Sequence, residues 1–135
     1  MGRPVLILLD THVVIWLAQD QPRISSRARD AITNSREGGQ GLFVSSMTLL
    51  EVAQLATQKR LQLTPNLEAF LWELERRFTV LPITGSICVQ AFEFPASYPK
   101  DQADRVIGAT AVVEGLSLVT ADQAIRRSKA VLTIW

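Results

Sequence analysis

Apolar positions along this chain fall into short unbroken runs and longer helical stripes, and their alternation outlines a fold. Val5-Leu6-Ile7-Leu8-Leu9 is an unbroken aliphatic run, the pattern of a parallel strand covered on both faces. A short apolar segment, His12 to Leu17, follows as one or two helical turns and stops before Pro22. Ser25 or Ser26 caps a helix running to about Ser35, with Ala28, Ala31 and Ile32 as its stripe, and Gly38-Gly39 turns the chain. Leu42 to Val44 is a second strand, closed by Ser45-Ser46. From Met47 the spacing is helical, with Leu49, Leu50, Ala53, Leu55 and Ala56 expected inside. Asn66 caps the next helix, whose last turn carries Arg76-Arg77, favourable for the dipole there.

The second half repeats the alternation. Phe78 to Leu81 is a third strand ended by Pro82, and Thr84 caps a helix from Gly85 to Phe92. Pro95 and Pro99 bound an irregular link. Asp101 opens a long helix to Glu114, stopped by Gly115; Leu116 to Thr120 is a fourth strand; Asp122 starts a short helix; Val131 to Ile134 is a fifth strand. Strands alternating with helices predict a three-layer α/β/α sandwich around a five-stranded, mostly parallel sheet. With no linker, repeat or low-complexity tract, residues 1–135 read as one domain.

Composition narrows the class. A hydrophobic fraction of 47% across 135 residues suits a packed core and excludes a disordered chain. The formal net charge of +1 gives no overall pull toward nucleic acid, so any such affinity must come from local basic clusters. The single cysteine, Cys88, cannot close an internal disulfide, which fits a reducing cytoplasm; it is expected to be a small core residue. One His and one Cys argue against a zinc site. The first apolar run is too short for a signal peptide, and no apolar segment approaches the roughly 18 residues of a membrane span.

The acids change the picture further. Asp10 is the only formal charge between Arg3 and Asp20, at the carboxyl end of a strand, where open α/β sheets carry their sites. Capping the next helix, with Thr11 as helper, explains it equally well in isolation. Glu51 is the only charge between Glu37 and Lys59. It is either the capping-box partner of Thr48 or, under a Ser45 or Ser46 cap, a second-turn carboxylate sharing a face with Met47 and Leu55. Asp101 and Asp104 share the first turn of one helix, Asp101 as its N-cap, and small Gly108 and Ala111 on that face let the helix press inward. Asp122 ends the fourth strand as Asp10 ends the first. If those strands are neighbours, the two acids converge.

Carboxylates so gathered, with Arg105 the only adjacent cation, cannot all stay ionised side by side. A hard divalent cation resolves the conflict, and all-oxygen ligands favour Mg²⁺ or Mn²⁺. Such a site suits phosphoryl chemistry. No P-loop pattern occurs.

Taken in order, these residues resemble a PIN domain, and more closely a VapC-type toxin ribonuclease. The matching pieces are Leu8-Leu9-Asp10-Thr11-His12 with Trp16-Leu17, the serine-rich strand end leading to Glu51, Asp104-Arg105-Val106-Ile107-Gly108-Ala109-Thr110-Ala111, Leu118-Val119-Thr120-Ala121-Asp122, and the terminal Val131 to Trp135 strand. No piece alone is specific; the ordered set spans the chain. The resemblance implies a five-stranded parallel sheet, a Mg²⁺- or Mn²⁺-dependent endoribonuclease, and carboxylate roles for Asp10, Glu51, Asp104 and Asp122. It also implies a homodimer and a cognate antitoxin encoded beside it. Gly108 stands where relatives often carry Ala, with no consequence expected.

The expected reaction is hydrolysis of an RNA phosphodiester by activated water, leaving 5′-phosphate and 3′-hydroxyl ends. Candidates for guiding the substrate are Arg105, Thr120, His12, Arg126 and Arg127, with Lys129 beside them, although the basic residues equally fit a solvated face. His12 is expected to fix its loop more than to move protons. Two rivals keep the fold: a non-catalytic PIN module that binds RNA or protein, and a structure-specific nuclease acting on RNA or DNA.

Overall fold

Five short strands form one all-parallel sheet in the order β3-β2-β1-β4-β5. They are β1 (Ile7–Leu9), β2 (Phe43–Ser45), β3 (Thr79–Leu81), β4 (Ser117–Val119) and β5 (Thr133–Ile134). This is a computed structural model describing residues 5–135; residues 1–4, Arg3 among them, lie outside the described residues. Helices α1 (Thr11–Gln19), α2 (Ser26–Glu37), α3 (Ser46–Thr57), α4 (Leu67–Arg77), α5 (Gly85–Ala91), α6 (Gln102–Glu114) and α7 (Gln123–Ser128) alternate with the strands. Pro22 lies in a single 3₁₀ turn, Gln21–Arg23. Each expected strand is present; four are shorter than expected by one or two residues at an end, and β2 is shifted by one so that it takes in Ser45.

Successive side chains of a strand point to opposite faces, and the core divides accordingly. Ile7, Leu9, Val44 and Val119 pack against α1, α2 and α4 through Val13, Val14, Ile32 and Leu74. Leu8 and Leu118 face the other way, onto Ile87 of α5, Ile107 of α6 and Ile125 of α7. This is the expected three-layer sandwich. Among the described residues no helix is long and apolar enough to cross a membrane.

The order of strands positions the site. From β1 the chain steps outward through β2 to β3, then returns to lay β4 on the other side of β1, pairing Ile7 with Ser117 and Leu9 with Val119. The gap between the carboxyl ends of β1 and β4 is therefore the topological switch point, where parallel α/β sheets open a crevice. Asp10 and Asp122 leave the sheet on either side of it.

Two expectations about the core are corrected. Cys88 is exposed, because the seven residues of α5 bury only one face, and Ile87 and Ala91, four apart, occupy it. Leu50 is 62% exposed. Thr48 and Val52 are the pair that α3 turns inward, and a residue two positions from Thr48 lies about 200° round the helix.

Candidate active site

Asp10 is 3% exposed and held at both carboxylate oxygens. Oδ1 accepts the Thr11 N–H at 2.8 Å, which caps α1, and Oδ2 accepts the Thr120 hydroxyl at 2.7 Å. The same Thr120 oxygen accepts the Asp122 N–H at 3.1 Å. Asp122 in turn caps α7 by accepting the Ile125 N–H at 3.0 Å through Oδ1. Capping and convergence thus coexist at both strand ends. Neighbouring parallel strands bring the two acids together, and one threonine hydroxyl ties them.

Glu51 enters from α3. Ser45 caps that helix by accepting the Met47 N–H at 3.0 Å, so Thr48 and Glu51 are not a capping box. Thr11 donates its hydroxyl to Glu51 Oε1 at 2.5 Å and meets the Thr48 hydroxyl at 3.0 Å. Because Thr11 spends its one proton on Glu51, Thr48 supplies the proton between the two threonines. Burial pushes Glu51 above its ordinary value; the Thr11 bond opposes the rise, and the charges of Asp10 and Asp101 add to it.

Asp104 lies in the first turn of α6, its N–H held at 3.1 Å by the Asp101 carboxylate that caps the helix. Among the described residues no hydrogen-bond donor reaches its own carboxylate. Burial, then the charges of Asp10, Asp101, Asp122 and Glu51, push Asp104 up to about 7. Four acids from four separate segments thus act on one another across one crevice. Among the described residues no three of them form a closed ligand set.

Comparison with known proteins identifies the family. A family model described as PIN domain matches residues 7–130. The chain belongs to the PIN-domain family. Ribonuclease VapC22 from Mycobacterium tuberculosis (strain ATCC 25618 / H37Rv) is 37% identical to it over 131 residues, covering 96% of this chain and 98% of that protein. Among solved structures, DNA-bound VapBC from Salmonella typhimurium has a TM-score of 0.73 at 20% identity, covering 96% of each chain. VapBC2 from Rickettsia felis, bound to a promoter DNA fragment, has a TM-score of 0.70 at 14% identity, covering 96% of this chain and 97% of that one. These two likenesses establish the PIN fold.

The remaining candidates of this PIN domain separate by position. His12 Nε2 accepts the Ala121 N–H at 3.0 Å, which leaves the proton on Nδ1, 3.7 Å from Asp10 Oδ2. The ring thereby ties α1 to the loop after β4. Thr120 is fully buried with its hydroxyl committed to Asp10 and Asp122, so it orients acids and has no reach to a substrate. Arg105 donates from Nη1 to the Ala91 carbonyl at 3.1 Å, bracing the carboxyl end of α5. Arg126, Arg127 and Lys129 line an open surface depression at the end of α7. Thr48 and Thr11, read from sequence only as capping residues, meet at Glu51, and Tyr98, which the sequence pattern did not single out, places its hydroxyl on the Asp104 carbonyl.

Gly108 also needs correction. It faces Tyr98 and Phe94, and a Cβ there would overlap the Tyr98 hydroxyl and come within 2.8 Å of Tyr98 Cζ. An alanine at this position is therefore not neutral.

The position of Asp104 has a consequence for pH. Between about pH 4, where a free Asp titrates, and about 7, the folded protein holds a proton that the unfolded chain has released. Folding stability of the metal-free protein is expected to fall as pH rises through that window. Urea midpoints measured in EDTA at pH 5 and pH 8 should show the fall, and Asp104→Asn should lessen it. A difference between the two pH values that the variant leaves unchanged would count against the assignment.

Proposed function

We propose that this chain is a divalent-metal-dependent endoribonuclease acting as the toxin of a toxin–antitoxin pair. The observation that carries the reading is the convergence of Asp10, Glu51, Asp104 and Asp122 at the β1–β4 switch point, with Asp104 pushed up to about 7 by burial and its neighbours. The donor set fits Mg²⁺ or Mn²⁺: it is all oxygen, and a cation would offset both the burial and the neighbouring charges that raise Asp104 and Glu51.

Asp10, Asp104 and Glu51 would hold the ion directly, and Asp122 would act directly or through water. Once bound, Mg²⁺ or Mn²⁺ supplies Lewis acidity to the scissile phosphate and lowers the pKa of water. The chain's own residues do the placing. Thr120 and the α1 amide fix both oxygens of Asp10, and the Thr48–Thr11 relay fixes Glu51. His12 holds the loop that carries Asp122. Arg126, Arg127 and Lys129, with Arg105 nearer the acids, offer positive charge to the phosphate backbone. Displacement of the 3′-oxygen by water leaves 5′-phosphate and 3′-hydroxyl ends.

The partner reading rests on kinship. Ribonuclease VapC22 is a close enough relative to share a working context, and the similar solved structures are VapBC assemblies. An antitoxin and a second copy of this chain are the partners we assign, with the exposed Val89 of α5 and Phe92 just after it as apolar surface available to them.

The test is cleavage of end-labelled RNA beside flap DNA by the purified protein, with Mg²⁺, Mn²⁺ or EDTA. We expect metal-dependent cleavage of RNA alone, giving products that poly(A) polymerase extends from a free 3′-hydroxyl. Equal cutting in EDTA, or products ending in 2′,3′-cyclic phosphate, would overturn the mechanism. Flap DNA as the preferred substrate would overturn the ribonuclease reading.

A further inference from the structure

Three of the four acids are fixed by hydrogen bonds to their carboxylates: Asp10 by two, Glu51 and Asp122 by one each. Asp104 has none among the described residues, yet the charges of the other three and of Asp101 bear on it. With no such bond to its carboxylate among the described residues, Asp104 is placed through its backbone. Two side-chain bonds do anchor it, one on either side of its Cα: the Asp101 cap on its N–H, and the Tyr98 hydroxyl on its C=O at 2.8 Å.

Tyr98 is built into place for this contact. It is the only tyrosine in the chain, 1% exposed, and stacks on Phe94 with ring centroids 4.1 Å apart and planes 13° from parallel. The missing Cβ of Gly108 opens the notch that admits its hydroxyl. In helical pairing the Asp104 carbonyl also receives the Gly108 N–H, so the notch and the anchored carbonyl are one turn apart on the same ladder. Burial, followed by the charges of Asp10, Asp104 and Asp122, pushes the phenol above its ordinary value, so it remains a donor.

We propose that Tyr98 is a positioning residue for Asp104: its hydroxyl, seated in the Gly108 notch, locks the first turn of α6 and so aims the Asp104 carboxylate into the acid cluster. The proposal rests on the metal-nuclease reading for its consequence, while the lock itself is a property of the chain alone. Residues that orient a metal ligand affect affinity by about ten- to a hundredfold when altered.

Tyr98→Phe keeps the ring, the stack and the notch and removes one hydrogen bond. Thr110→Val is the control, because Thr110 donates to the Val106 carbonyl of the same helix at 2.7 Å and is fully buried. Both variants should lower the melting temperature in EDTA by a similar few degrees. Tyr98→Phe alone should weaken Mn²⁺ binding, read by electron paramagnetic resonance, by about tenfold, and lower kcat with the KM for RNA unchanged. Gly108→Ala should have the same effect on Mn²⁺, and combining it with Tyr98→Phe should add little. Mn²⁺ affinity unchanged in Tyr98→Phe, or weakened equally in Thr110→Val, would overturn the proposal. If the parent protein binds no Mn²⁺, the metal reading fails by itself, and amide exchange then decides the lock. Faster exchange at Arg105 and Gly108 in Tyr98→Phe, with the last turn of α6 unchanged, supports it; unchanged exchange overturns it.

Discussion

Asp104→Asn is expected to lower RNA cleavage by at least about a hundredfold, through loss of a metal ligand, and to leave the metal-free protein more stable than the parent. The two effects have one cause. The Asp104 carboxylate is half-buried, accepts no hydrogen bond among the described residues, and faces four other acids. At pH 8 it is ionised in a place that disfavours the charge, and an amide of the same shape removes that charge without taking an acceptor from any donor among the described residues. The N–H and C=O bonds of residue 104 come from the backbone and survive. Single-turnover cleavage in Mg²⁺ and thermal unfolding in EDTA at pH 8 measure the pair. Undiminished cleavage would sink the site assignment. A lower melting temperature would show that the carboxylate stabilises the fold.

Asp10→Ala should also abolish cleavage, but at a cost of about 2–4 kcal/mol in stability, because this acid is part of the frame. Losing the α1 cap accounts for about 1 kcal/mol of that. The remainder comes from the Thr120 hydroxyl, fully buried and 2.7 Å from Asp10 Oδ2, which would lose its acceptor. Asp10→Asn is the informative companion, since its single amide oxygen can accept from the Thr11 N–H or from the Thr120 hydroxyl but not from both. It should recover part of the stability and none of the activity. Urea unfolding of the two variants beside the parent checks this; equal stability of Asp10→Ala and the parent would contradict it.

The contrast between these two acids shows what could be read from residues alone. Each acid stood out because a charge set inside apolar sequence is visible without a structure. The capping alternatives were visible too, and at Asp10 and Asp122 both readings hold at once. What local pattern could not supply was adjacency. That β4 returns to lie beside β1 depends on pairing between residues 110 apart, and no periodicity encodes it.

The hydroxyl relay was hidden for another reason. Thr48 and Thr11 read equally well as cap, strand or helix residues, and only the packing of α1 against α3 gives their protons a direction. Tyr98 lies in a proline-flanked link without periodicity, so nothing local marked it. Gly108 was read as a small residue easing a helix toward the sheet, when the space it leaves is filled by a phenol. Cys88 and Leu50 were assigned inward by chemistry alone, but the faces of α5 and α3 were already taken by Ile87 and Ala91, and by Thr48 and Val52.

The bond from Thr120 to Asp10 also bears on when the protein can become active. Its partners are separated by 110 residues, so closing that loop belongs to the late, slow class of folding events. A nascent chain that has emerged only through α5 carries β1, β2 and β3, with Asp10 and Glu51. It lacks Asp104, Asp122 and the hydroxyl that orients Asp10. Such a chain holds two of the four acids we propose as ligands and leaves one edge of β1 unpaired. On the proposed metal-nuclease reading, synthesis therefore delivers the protein in an inert form and arms it only when β4 docks.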